Sequence, residues 1–359
     1  MKSYCILKCI RIDVDDSYKW NDTLFFCNGL AENYTEQECE GFITLKWVKK
    51  LNKSDMRSIG EGSLIGNGKY VDEKYGIKFE MPDKNHIMLT VEQEANEWLI
   101  IAIELLLLKQ DKTLIHAAAV EKAGNVILLP SWGGVGKTAI VCGLIRNHGW
   151  KLLGDDLVII DKNNVYGFLK PFVIYPYHKN LFPELFSNNK KHTVKNLTVS
   201  RLMSKAIPSV KRILRHFPFV LAYLRKHNPQ SMRVSPREIF SAEQLSVSGK
   251  PYLTVWLDRC NENDVIYHHI SREELASRAA TVSSLEIFAE KLNAVYQLCG
   301  CGIIDFDNSI QKIYGILIDF LNSSKTEIMQ IPLSISIESV ADVVYSNLSK
   351  GDVNPIWLP

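Results

Sequence analysis

Residues 131–138 read SWGGVGKT, set between the apolar run VILLP and the helix-like segment AIVCGLI. A loop that holds phosphate needs several backbone N–H groups aimed at one anion, and glycines let the chain turn tightly and approach closely. It also needs a lysine for the β and γ phosphates and a Ser or Thr hydroxyl for magnesium, at the start of a helix whose dipole favours the anion. Gly133, Gly134 and Gly136 fill the first role, Lys137 the second and Thr138 the third. Ser131, Trp132, Val135 and Ala139 complete the candidate nucleotide-binding stretch. The strict pattern G-x-x-x-x-G-K-[ST] has glycine where this chain has Ser131, and a serine can close that turn if its backbone angle is ordinary. A Gly-rich turn that merely contains a lysine is the bland alternative, and the context on both sides weighs against it.

Magnesium needs a carboxylate, and two places offer one. Asp161 follows the apolar LVII, as in an ordinary Walker B strand. Asp155 and Asp156, in GDD, are nearer the loop in sequence, and as a pair they could supply a metal ligand and a base for an attacking hydroxyl. On composition alone a solvated turn also suits the pair.

The elements that must position these residues are legible at low resolution. TLIHAAAV, EKAGN and VILLP read as strand, turn and strand, then the loop, a helix from Lys137 to about Arg146, the punctuating Gly149 and a strand through LVIID. This is an α/β pattern. Residues 1–92 alternate short apolar runs with turn signals such as CNGL and IGNGKY, where Asn67-Gly68 suits a type I′ hairpin, and read as a small β-rich N-terminal domain. Residues 93–275 read as the nucleotide-binding core, opened by a buried helix over Glu94–Leu108 and interrupted at about 178–237 by a Pro-broken helical insertion. PYLTVWL reads as a further strand. Residues 276–359 read as a mostly helical C-terminal region with a strand candidate near IPLSISI.

Bulk properties narrow the class. A chain of 359 residues with 46% hydrophobic content can build real cores. Its longest apolar stretch, Trp98–Leu108, is too short to cross a bilayer and contains Glu104. The N-terminus lacks a signal-like apolar region, so the cytoplasm is the expected compartment. Cys5 with Cys9 and Cys299 with Cys301 have no second pair at zinc-finger spacing, so the eight cysteines read as small core residues. Between Lys190 and Arg237 stand twelve Lys or Arg and no Asp or Glu, which leaves 30 basic against 40 acidic residues elsewhere. That segment, with Lys211, Arg212 and Arg215 at its centre, is expected either to face an anionic partner as a lid or to be a solvated face. Its few aromatics sit among apolar neighbours, which argues against a nucleic-acid stacking platform.

LIHAAAVEKAGNVILLPSWGGVGKTAIVCGLIRNHGWKLLGDDLVII resembles the HPr kinase/phosphorylase family, which shares its core with phosphoenolpyruvate carboxykinase. The similarity is strong over roughly residues 95–175, fades to PYLTVWLDR and covers about a third of the chain. It implies a P-loop HPr kinase-like core and an ATP- and Mg²⁺-dependent kinase that phosphorylates a serine-like hydroxyl on a peptide, protein or small molecule. The resemblance also implies roles: His116 near the phosphoryl site, Asp155 as base, Asp156 with Thr138 on the metal, Lys137 on phosphate, and Asp161 structural. Ala139 stands where the bacterial HPr kinases carry an acidic residue, which points to the divergent members acting on free serine or on a peptide such as a lasso-peptide precursor. Arg233, Arg237 and Arg259 are candidate anion ligands. The competing function is a nucleotide-dependent switch or ATPase without an acceptor, and no N/T-K-x-D base-reading motif is evident. No membrane partner is expected, and a homo-oligomer is left open.

Overall fold

A computed structural model of the chain describes residues 2–18, 39–94, 96–187, 232–288, 291–336 and 339–350. The centre of the basic segment, including Lys211, Arg212 and Arg215, lies outside the described residues, as does CNGL. The architecture is mixed α/β, with two compact units: Met1–Lys170 with Phe240–Pro359, and Pro171–Ile239.

The first unit opens with β1 Lys2–Ile6, β2 Ile10–Val14, β3 Gly41–Trp47, β4 Arg57–Gly60, β5 Ser63–Gly66, β6 Lys69–Asp72, β7 Ile77–Asp83 and β8 His86–Val91. They form one sheet in the order β1-β2-β3-β8-β7-β6-β5-β4. Period-two patterning explains its buried face: Ile10, Ile12 and Val14 are buried while Arg11 and Asp13 between them are only half-buried. Asn67 and Gly68 join β5 to β6 with φ of 49° and 71°, the two positive angles that a type I′ turn requires. Helix α1, Asn96–Leu108, is buried at every residue from Trp98 onward, as its all-round apolar sequence demands.

The second sheet carries the loop. Its early strands are β9 Thr113–Ile115, β10 Ala117–Lys122 and β11 Asn125–Pro130; helix α2, Lys137–His148, follows, then β12 Lys151–Gly154, β13 Val158–Ile160 and β14 Val165–Tyr166. The second unit holds β15 Phe172–Ile174, the short α3 Pro183–Ser187, β16 Met232–Val234, paired with β15, and α4 Pro236–Ile239. Returning to the first unit, β17 Ser248–Cys260 and β18 Ile266–His269 precede α5 Arg272–Phe288, α6 Leu292–Gly300 and α7 Phe306–Leu321. β19 Lys325–Pro332 and α8 Val340–Lys350 follow.

Strand β17 lies between β11 and β19 and runs parallel to both. The unbroken burial of Val126–Pro130 suits such a position, covered on both faces. Helix α2 ends on Gly149 with φ 65°, and its mid-point Gly143 lets α8 approach so closely that a Cβ there would lie 2.2 Å from the Ala341 Cβ.

Three details differ from the sequence reading. TLIHAAAV is not one strand: it breaks at His116, with β9 pairing β13 and β10 pairing β11 and β12. The strand after Gly149 is two, β12 and β13, separated by a bend at Asp155-Asp156. The C-terminal strand lies over KTEIMQIP and ends before the 60%-exposed Leu333, so the alternation of IPLSISI marks a turn.

Candidate functional site

The two breaks coincide. β10 pairs β12 up to Ala119 opposite Gly154, and β9 pairs β13 from Ile115 opposite Val158. His116, Asp155 and Asp156 therefore occupy one seam, where two antiparallel ladders part. Gly154 permits the bend, since a Cβ there would meet the Leu157 carbonyl oxygen at 2.5 Å. The break would strand the His116 N–H, and Ser283 on α5 accepts it through Oγ at 2.9 Å.

The loop spans the β11–α2 junction. Gly134 and Gly136 have φ of 83° and 103°, angles open to glycine and strained for other residues, and Gly136 caps α2. Ser131 is not in the left-handed region, so its position does not require glycine. It is fully buried, and its hydroxyl has no hydrogen-bond partner among the described residues. Trp132 is 47% exposed, Val135 and Ala139 are buried, and the loop face at Gly133 and Gly134 is open enough that an added Cβ meets nothing within 4 Å.

Lys137 turns back onto its own loop. Its Nζ donates to the Ser131 and Trp132 carbonyls at 2.9 and 3.0 Å and lies 3.0 Å from His116 Nε2. Burial holds the ammonium below its usual pKa, opposed by Asp156 and Asp155. Burial, aided by Lys137, pushes His116 down to about 4. The ring is therefore neutral near pH 7, and an Nε2 that accepts from Lys137 leaves its proton on Nδ1, which faces Asp156 Oδ1 at 3.5 Å.

The two aspartates have different partners. Thr138 Oγ1 donates to Asp155 Oδ2 at 2.8 Å, while Asp155 Oδ1 is buried with no hydrogen-bond partner. Burial, with Asp156 adding repulsion, raises Asp155 to about 7 against the pull of the Thr138 hydrogen bond. Asp156 accepts from Lys170 at Oδ2. Partial desolvation of Asp156, whose side chain is half-exposed, would raise it, but Lys170 and His116 outweigh that and hold the carboxyl below its usual value.

Asp161 is engaged elsewhere: it accepts from the N–H groups of Asn163 and Asn164 and from the Tyr166 hydroxyl at 2.7 Å, closing the β13–β14 turn. Arg259 lies near the C-terminal end of β17, past the level at which β11 ends, and donates to the Ile335 carbonyl at 2.9 Å. Arg233 and Arg237 belong to the second unit. Lys170 and Ser283 carried no sequence signal. Lys170 lies fourteen residues past Asp156 at no motif spacing, and Ser283 acts through a tertiary contact 167 residues from His116.

Among the described residues no three or more His, Cys, Asp or Glu side chains group as a metal site. A magnesium bound largely through substrate phosphates needs only one or two carboxylates, and the unpartnered buried Asp155 Oδ1 beside the Thr138 hydroxyl fits that demand. Among the described residues, no helix is long and apolar enough to cross a membrane. No protein-family model matches the chain, and no curated protein matches it in sequence.

Proposed function

We propose that this chain is an ATP- and Mg²⁺-dependent kinase with an HPr kinase-like core, transferring the γ-phosphate to a serine-like hydroxyl. The observation that carries the reading is convergence: Lys137 and Thr138, on the first turn of α2, meet His116, Asp155 and Asp156 across the seam. A glycine-rich turn without function has no reason to collect two cations, two carboxylates and an imidazole at one helix start.

When bound, magnesium would offset phosphate charge, and Thr138 with one carboxylate of the aspartate pair would hold it. The residues of this chain supply the rest. The loop amides and Lys137 cradle the phosphates, which requires Lys137 to leave the Ser131 and Trp132 carbonyls. A carboxylate of the pair orients the acceptor hydroxyl, and catalysis is positioning plus charge neutralisation. His116, neutral, orients Lys137 rather than carrying a proton.

The test is Lys137→Ala. Removing a charged donor to phosphate costs about 1.5–3 kcal/mol, so MgATP affinity by calorimetry is expected to fall roughly ten- to hundredfold in a protein of unchanged circular dichroism. A folded variant with parental affinity would overturn the phosphate-loop reading. Formation of phosphoserine from ATP and free L-serine tests the transfer step directly.

A further inference from the structure

Adjacent carboxylates usually share an environment, yet here a backbone bend sends them to opposite partners. Asp155 gives one oxygen to the Thr138 hydroxyl and keeps the other buried and unpartnered. A hydroxyl that donates its proton to a carboxylate still has lone pairs for a cation, so Thr138 and Asp155 can bind one metal without breaking their hydrogen bond. Both oxygens of Asp156 are already engaged, Oδ1 facing His116 Nδ1 and Oδ2 held by the Lys170 ammonium. The Asp156 side chain is also 43% exposed, which leaves it accessible to a bulky acceptor.

We infer that the pair divides its work: Asp155 is the metal-side carboxylate with Thr138, Asp156 is the acceptor-side carboxylate, and Lys170 is a positioning residue that holds Asp156 away from the metal. This rests on the kinase reading and reverses the roles that the family resemblance implies. In the transfer step the acceptor oxygen forms a bond to the γ-phosphorus. The bond from that phosphorus to the β–γ bridging oxygen breaks, and ADP leaves with the electron pair. The acceptor proton passes to Asp156 and then to water. In a loose phosphoryl-transfer transition state the main task of such a carboxylate is to aim the hydroxyl, so a fixed Lys170–Asp156 pair serves it.

The experiment measures the Mg²⁺ concentration at half-maximal ATP binding by calorimetry, and Mn²⁺ binding without nucleotide by electron paramagnetic resonance. Asp155→Asn and Thr138→Val are expected to raise the Mg²⁺ requirement about tenfold or more, while Asp156→Asn leaves it within about twofold. Lys170→Met frees a second carboxylate beside Asp155, so its half-saturating Mn²⁺ concentration should fall roughly tenfold. Lys170→Arg keeps the ion pair and should behave as the parent, and adding Asp156→Asn to Lys170→Met should abolish the gain. A merely structural lysine would give no gain of cation binding.

A raised Mg²⁺ requirement in Asp156→Asn with none in Asp155→Asn overturns the division of roles, and unchanged Mn²⁺ binding in Lys170→Met overturns the role of Lys170. Parental MgATP affinity in folded Lys137→Ala is a different result, since it removes the kinase reading itself.

Discussion

Glu104 is the one ionisable residue of α1 buried between Trp98 and Leu108, and it anchors the strand that leads into His116. Its carboxyl is fully buried, with Oε1 2.6 Å from Thr113 Oγ1 and Oε2 accepting the Leu114 N–H at 2.7 Å. Burial raises its pKa from 4.5 to about 7 although both hydrogen bonds oppose the rise. That displacement corresponds to about 3 kcal/mol between the protonated and ionised forms. Because the folded value lies above the unfolded one, the contribution is complete below pH 4.5, declines as the pH rises toward 7 and is gone above it.

Glu104→Gln removes the titration and keeps the shape. A glutamine amide can donate to Thr113, whose own proton can turn to the Leu114 carbonyl at 3.3 Å, while the amide oxygen accepts from Leu114 N. Other shifted groups titrate in or near this window. Asp155, raised to about 7, acts in the same direction, while His116, lowered to about 4, acts in the opposite one, adding stability as the pH rises from 4 to 6.5, and His178, lowered by burial, acts as His116 does. The difference between parent and variant cancels all three. Urea unfolding followed by circular dichroism at pH 5, 6, 7 and 8 should show the stability of Glu104→Gln relative to the parent improving by about 2.5 kcal/mol across the series, the remainder of the displacement lying below pH 5. Parallel profiles for the two proteins would refute the buried-carboxyl argument.

Gly143→Val should destabilise the protein by about 1–3 kcal/mol in the same assay, because the α2–α8 crossing has no room for a side chain, and Ala341→Gly should restore part of the loss. Trp132, exposed in the loop, should change its fluorescence on MgATP binding, and Trp132→Phe should lose that signal while calorimetric affinity stays within about threefold, since a phosphate loop holds its anion chiefly through backbone N–H groups. Asp161→Asn should leave MgATP affinity and the Mg²⁺ requirement unchanged and cost about 1 kcal/mol of stability through the weakened β13–β14 turn. A raised Mg²⁺ requirement there would return the metal to an ordinary Walker B position.

Features set by a few adjacent residues were legible in the sequence. Asn67-Gly68 forms its hairpin and Gly149 ends α2 because both depend on local positive φ, and α1 is buried because apolar residues cover all its faces. The candidate loop SWGGVGKT lies between the strand and helix expected of it. Features set by long-range pairing were not legible. TLIHAAAV contains no Gly, Pro or polar run to mark the break at His116, which arises because Ile115 and Ala119 pair with strands of different ladders. The tie from Ser283 to His116 spans 167 residues, and that from Lys170 to Asp156 joins residues without a motif.

The seam explains why these particular residues come together. In a continuous strand successive side chains alternate between two faces, so neither adjacent aspartates nor a histidine among alanines would converge on one helix start. Breaking both ladders at the same level frees His116, Asp155 and Asp156 from that alternation. The exposed backbone is then satisfied by a side chain, Ser283, and the turn by a residue without a Cβ, Gly154. Lys137 reaches across to the histidine and Thr138 to the first aspartate, while Lys170 arrives from beyond β14 to fix the second. The arrangement gives two carboxylates that are neighbours in sequence different partners beside one helix start, where a continuous strand would send one of them to the far face of the sheet.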